Sequence, residues 1–98
     1  MSYRVVYTPS AREHLRALTA RQRTNVLDAI ARPLLHEPAV QTRNRKPLRP
    51  NPVAGWELRL GDLRVYYDVI ESDALVDVRA IGVKIRDRVY IGGQETEL

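Results

Sequence analysis

The chain has no cysteine, which removes disulfides, thiolate zinc sites and thiol nucleophiles together. Its two histidines, His14 and His36, stand far apart and offer little to a metal. No apolar run approaches the length of a membrane span, and Met1-Ser2-Tyr3-Arg4 opens a strand-like pattern without a signal-peptide profile. The expected location is therefore the cytoplasm, with no membrane partner. Internal repeats and low-complexity runs are also missing. What remains is 98 residues, 44% hydrophobic and 29% charged, expected to form one globular domain over residues 1–98 with a single core.

Positive charge is what the chain has in excess. The net charge is +4, and the basic set is almost entirely arginine, whose planar fork matches phosphate geometry. The composition thus favours a polyanionic partner. The charge is uneven: residues 1–60 hold 11 basic and 4 acidic side chains, whereas residues 61–98 hold 5 and 8. A basic region is mounted on a more balanced remainder.

Tyr3-Arg4-Val5-Val6-Tyr7 reads as a short first strand, stopped by Thr8-Pro9-Ser10. Pro9 suits a first helical turn and Ser10 with Glu13 has capping-box spacing, so a helix is expected here with Ala11, Leu15 and Leu18 on its apolar stripe. Thr19 is the next expected N-cap, and Val26, Leu27, Ile30 and Leu34 give the second helix its stripe. Pro33 must kink or end that helix near Arg32. Arg12, Arg16, Arg21, Arg23 and Arg32 are assigned to the solvated face of this helical hairpin, and His14 and His36 to structural or surface positions. Residues 41–55 follow as a loop with four basic residues (Arg43, Arg45, Lys46, Arg49), no acidic ones and three prolines. It is either a disordered basic segment or a proline-stiffened one able to track a phosphate backbone.

The most informative stretch is Trp56-Glu57-Leu58-Arg59-Leu60-Gly61-Asp62-Leu63-Arg64-Val65-Tyr66-Tyr67-Asp68-Val69. Two runs of period-two alternation flank Gly61-Asp62, the pattern of a β-hairpin with a two-residue turn. With that loop, Leu60 faces Leu63 and Arg59 faces Arg64 on one face, with Glu57 and Tyr66 next along; Trp56, Leu58, Val65 and Tyr67 share the other. Like charges opposite each other are unfavourable unless an anion or a carboxylate relieves them. The pair is thus either a solvated face offset by Glu57 and Asp68 or half of an anion site. Glu71-Ser72-Asp73 turns the chain, Ala74 to Val83 forms another strand, and Lys84, Arg86, Arg88 and Tyr90 follow at its end. The tail from Ile91 is expected to be loosely held. The predicted fold is α+β, a small antiparallel-rich sheet with an N-terminal strand and a two-helix hairpin packed on one face, in the order β-α-α-β-β-β.

Trp56 to Tyr67 resembles the aromatic-x-hydrophobic-Arg-hydrophobic-Gly-Asp-x-Arg-hydrophobic-x-Tyr signature of the RelE/ParE toxin superfamily, RelE-like branch. Pro47-Leu48-Arg49, Ile81-Gly82-Val83-Lys84, Tyr90 and the helical hairpin fit the same pattern. The resemblance implies a type II toxin of microbial-ribonuclease-like fold that enters the ribosomal A site and cuts mRNA through the RNA 2′-hydroxyl, without a metal or other cofactor. Its implied partners are a cognate antitoxin, acidic and partly disordered, the ribosome with its message, and operator DNA only through the antitoxin. Carried over by position, Arg64 holds the scissile phosphate, Arg59, Lys84 and Arg86 supply further catalytic cations, and Tyr90 stacks on the base or moves a proton. Arg43, Arg45, Lys46 and Arg49 are implied RNA contacts. Three positions depart from the pattern. Glu57 replaces a cation of many members and is either a general base or a counter-ion to Arg59. Lys46 replaces the glutamate base of one subgroup, and no histidine lies near Tyr90. Two other readings stay open: a ParE-like gyrase inhibitor, and a degenerate toxin acting only in a repressor complex.

Overall fold

The computed structural model describes residues 2–31 and 33–97. Strand β1 (Arg4–Tyr7) leads into helices α1 (Pro9–Ala17) and α2 (Ala20–Ala31) and one further turn, α3 (Pro33–His36). Strands β2 (Arg45–Pro47), β3 (Trp56–Leu60), β4 (Leu63–Ile70), β5 (Leu75–Ile85), β6 (Arg88–Ile91) and β7 (Gln94–Thr96) follow. They pair antiparallel in chain order, and β1 lies parallel to the start of β5. The α+β layering and the β-α-α-β-β-β core match the expectation from sequence. Among the described residues no helix is long and apolar enough to cross a membrane.

The sheet is larger than expected at both edges. β2 lies inside the stretch read as a loop, where Arg45-Lys46-Pro47 pairs with Leu58-Glu57-Trp56. Three residues carry no detectable period, and a proline is tolerated on an edge strand. β6 and β7 lie in the stretch read as the end of a strand and a loose tail. Gly92 and Gly93 have φ of 61° and 79°, which permits the tight turn joining Ile91 to Gln94.

Helix α1 is capped by Thr8, two residues before Ser10: its Oγ1 accepts from the Ala11 N–H at 3.1 Å, with Pro9 at the first helical position. Helix α2 opens with a reciprocal capping box, Thr19 Oγ1 accepting from the Gln22 N–H at 3.1 Å and Gln22 Oε1 from the Thr19 N–H at 3.0 Å. Arg32, expected at the break before Pro33, is outside the described residues. Arg23 is not a solvated charge: its guanidinium donates to the carbonyls of Leu15 at 3.1 Å and Leu18 at 3.2 Å, satisfying the end of α1.

Both helices pack on one face of the sheet, where Ala11, Val26, Ile30 and Leu34 meet Leu58, Val65, Tyr67 and Val78. Leu27, expected on the apolar stripe, is exposed. Beneath this core Tyr67 donates its hydroxyl to the Pro38 carbonyl at 2.8 Å. The other face carries a smaller cluster of Tyr66, Ala54 and Ala80 with Leu48 and Val53. The proline-rich loop covering it is stiff. Asn51 Nδ2 donates to the carbonyls of Arg49 at 2.7 Å and Ala54 at 2.8 Å, while Oδ1 accepts from Val53 at 2.8 Å and Ala54 at 3.0 Å. Arg79 clamps it to the sheet through the Val53 carbonyl at 3.0 Å and through Asp68 at 3.6 Å.

Gly82 pairs with Ile91 where β5 meets β6. A Cβ there would meet Val89 Cγ1 at 3.0 Å, Ile91 Cγ1 at 3.1 Å and the Tyr90 carbonyl oxygen at 3.2 Å. Gly82→Ala is expected to cost about 1–3 kcal/mol by overpacking, read as a lower denaturant midpoint at unchanged slope. An unchanged midpoint would mean that β6 moves aside freely.

Candidate functional site

The hairpin forms in the expected register: Leu60 opposite Leu63, Arg59 opposite Arg64 and Glu57 opposite Tyr66. Alternation sends Trp56 and Tyr67 to the helix side, their rings stacked at 6.2 Å between centroids, and leaves Glu57, Arg59, Arg64 and Tyr66 on the opposite face. β5 pairs along β4 with Gly82 across from Arg64. Two residues further, Lys84 reaches the same face, and its N–H donates to the Asp62 carbonyl at 2.6 Å. Arg88 and β7 close the far side. The result is an open groove of about 460 Å³ whose lining includes these side chains, Asp87, Glu95 and Glu97.

A single carboxylate organises the arginines. Glu57 Oε1 accepts from Arg59 Nε at 2.9 Å and lies 3.5 Å from Arg64 Nε. Glu57 and Arg64 are each only 6% exposed, and Arg64 Nη1 also donates to the carbonyls of Gly61 at 2.6 Å and Leu63 at 2.8 Å. The like-charge pair predicted on this face is thus relieved from within the hairpin, with Glu57 as counter-ion to both arginines. Arg88 pairs with Glu95 at 3.4 Å. Lys84 is exposed and, of these four cations, is the one with no carboxylate within 4.0 Å among the described residues.

The other predicted site residues divide. Lys46 stands opposite Glu57 and so shares the groove face. Arg43 and Arg49 are exposed outside the groove. Arg45 does not reach outward: it is buried and donates to the Glu37 carbonyl, which makes it a fixture of the segment after α3. Arg86 occupies the tip of the β5–β6 turn at φ 59°, beside a separate hollow with Ile85 and Tyr90. Tyr90 pairs with Val83 and therefore faces the helix side, near His14 and Leu18, across the sheet from Arg64. His14 is structural, its Nδ1 accepting from the Ile81 N–H at 3.2 Å, and burial holds its pKa below the ordinary value.

Two groove residues were missed by sequence reasoning, Arg88 and Tyr66. Tyr66 shares the alternation of Arg64, but an aromatic beside a core reads first as packing. Its hydroxyl is the one buried side-chain polar atom among the described residues with no hydrogen-bond partner, a condition worth about 1–3 kcal/mol of lost stability. Burial, reinforced by the Glu57 charge and opposed by Arg64 and Arg59, pushes the Tyr66 hydroxyl up to about 12. Burial also pushes Tyr67 up to about 12. A raised pKa means that the folded state holds these protons more tightly than the unfolded chain, so the stability they contribute is complete below pH 10 and lost as pH rises towards 12. In a spectrophotometric titration two of the five tyrosines should ionise only together with alkaline unfolding. Reversible ionisation of all five near pH 10 would contradict their burial.

Comparison with known proteins gives a family and a set of similar folds. Residues 5–88 match the family described as the ParE toxin of type II toxin–antitoxin system, parDE. No curated protein matches the chain significantly. Among solved structures, the toxin–antitoxin complex RelBE2 from Mycobacterium tuberculosis has a chain 26% identical at a TM-score of 0.74, covering 86% of this chain and 100% of that one. The isolated RelE toxin of E. coli is 21% identical at a TM-score of 0.67, with 87% of each chain covered. The archaeal RelE–RelB complex from Pyrococcus horikoshii is 21% identical at 0.64, covering 88% and 99%.

Proposed function

The chain belongs to the ParE toxin family of type II toxin–antitoxin systems, and from that premise we propose that it inhibits translation as a ribosome-dependent mRNA endoribonuclease. The observation that carries this reading is the convergence of Arg59, Arg64 and Lys84, from three strands, on one groove. In the proposed reaction the RNA 2′-hydroxyl attacks the adjacent phosphorus, its proton leaves to a base, and the bond to the 5′-oxygen breaks as that oxygen gains a proton. A 2′,3′-cyclic phosphate and a free 5′-hydroxyl remain. The charge that grows on the non-bridging oxygens is met by the Lys84 ammonium and by the Arg59 and Arg64 guanidinium groups. Glu57, engaged by two arginines, is assigned electrostatic and not proton-transfer work.

Within the groove four carboxylates balance four cations, so free RNA has to displace internal ion pairs and binds weakly. That suits an enzyme whose message is presented by the ribosome, where position is supplied by another body. The partner that silences it is an antitoxin, as in the RelBE2 and RelE–RelB neighbours, which are toxin–antitoxin complexes. Acidic antitoxin side chains would compete for the same cations.

The family match also favours a second reading, a ParE-like gyrase inhibitor, because Arg86 and Tyr90 stand apart from the groove. Inducing the chain in cells separates the two. Broken messages with arrested translation are expected; an SOS response over intact messages would replace the first reading with the second.

A further inference from the structure

Tyr66 carries a buried hydroxyl with no hydrogen-bond partner among the described residues. The ring is fixed among Ala54, Ala80 and Val89, its residue stands directly opposite Glu57, and it lines the groove beside Arg59 and Arg64. Buried side-chain polar atoms are otherwise satisfied among the described residues, so this exception calls for a state in which the hydroxyl is used. The groove contains one such state. A phosphodiester seated on Arg59 and Arg64 draws their guanidinium groups away from Glu57, leaving a buried carboxylate without its counter-ions, which is unfavourable unless another donor takes their place.

We propose that the Tyr66 hydroxyl is a positioning group for the ligand-bound state, donating to Glu57 when Arg59 and Arg64 turn to a bound phosphate. This rests on the reading of the groove as a phosphodiester site. Tyr66 touches neither the phosphate nor the reacting atoms; it makes the release of the arginines less costly. The exchange moves no covalent bond and no proton: the Glu57 carboxylate trades two charged donors for one neutral one.

The test is Tyr66→Phe, which removes only the oxygen. The probe is a short single-stranded oligoribonucleotide with every sugar 2′-O-methylated, which blocks cleavage, titrated into wild type, Tyr66→Phe, Lys84→Ala and Glu57→Gln backgrounds. Tyr66→Phe is expected to melt no lower than wild type, because an unsatisfied group is gone, and yet to bind the probe about tenfold more weakly, about 1.4 kcal/mol. The loss should vanish when Tyr66→Phe is added to Glu57→Gln. In wild type the ζ-carbon NMR resonance of Tyr66 should move on probe binding, a readout that stands if Glu57→Gln fails to fold. The inference alone is overturned if wild type binds, Lys84→Ala binds more weakly, and Tyr66→Phe binds as wild type with an unmoved resonance. It is also overturned if Tyr66→Phe melts clearly lower, the mark of a structural hydroxyl, or if its loss persists in Glu57→Gln, the mark of direct contact. Binding by Lys84→Ala equal to that of wild type would overturn the groove reading and this inference with it.

Discussion

Lys84→Ala should yield a normally folded protein that cleaves message about 10²–10³-fold more slowly, the loss typical of removing one preorganised donor to a developing anion. Its side chain is exposed and makes no ion pair or hydrogen bond among the described residues, so truncation removes charge and almost nothing else. Its place is held by the backbone, since the Lys84 N–H bonds the Asp62 carbonyl at the hairpin turn at 2.6 Å, and that bond survives the substitution. Single-turnover cleavage on programmed ribosomes, alongside an unfolding curve, checks both halves. Lys84→Arg should keep most activity. Wild-type cleavage by Lys84→Ala would remove Lys84 from the mechanism.

Arg64→Ala should behave differently, losing stability and activity together. Arg64 and Glu57 are both buried, and truncating one member of a buried pair strands the other, at about 3–5 kcal/mol. The Gly61 and Leu63 carbonyls lose a donor as well. Arg59 partly offsets this through its own bond to Glu57. Loss of toxicity in Arg64→Ala is therefore weak evidence for a catalytic role unless the folded fraction is measured. Glu57→Leu combined with Arg64→Leu should recover much of the stability, because the stranded charge is gone, and none of the toxicity. Denaturant unfolding of the single and double variants decides. An Arg64→Ala protein as stable as wild type would mean that the pair does not hold the hairpin.

These contrasts bear on what could be read from sequence. The register of the Trp56 to Val69 hairpin was legible: alternation and a Gly-Asp turn leave one register, and a one-residue slip would send the arginines to the helix side and the core residues to the groove face. The cap of α1 was also there to be read, since Pro9 at the first helical position points to Thr8 and not to Ser10. Other positions depend on contacts far along the chain. Arg45 sits in a basic loop and looks solvated, yet the carbonyl of Glu37, eight residues earlier, takes its guanidinium inward. Arg23 looks like one more helix charge until the end of α1 needs donors. The face of Tyr90 follows from the two-residue Arg86–Asp87 turn, which pairs Val83 with Tyr90. That turn has Arg86 at positive φ, where glycine is the usual signal. The groove cations on β3 and β4 were legible because they share a period; Arg88 was not, because it enters from a strand too short to show one.

Whether the groove cuts RNA held by the ribosome can be tested with purified components. Ribosomes carrying a defined message with an empty A site are mixed with the protein, and the RNA ends are mapped and chemically typed. One cut within the A-site codon is expected, with a 2′,3′-cyclic phosphate upstream and a 5′-hydroxyl downstream, no cleavage of the same RNA free in solution and a severe loss with Lys84→Ala. Intact message on programmed ribosomes, with the protein shown to be folded, would contradict it.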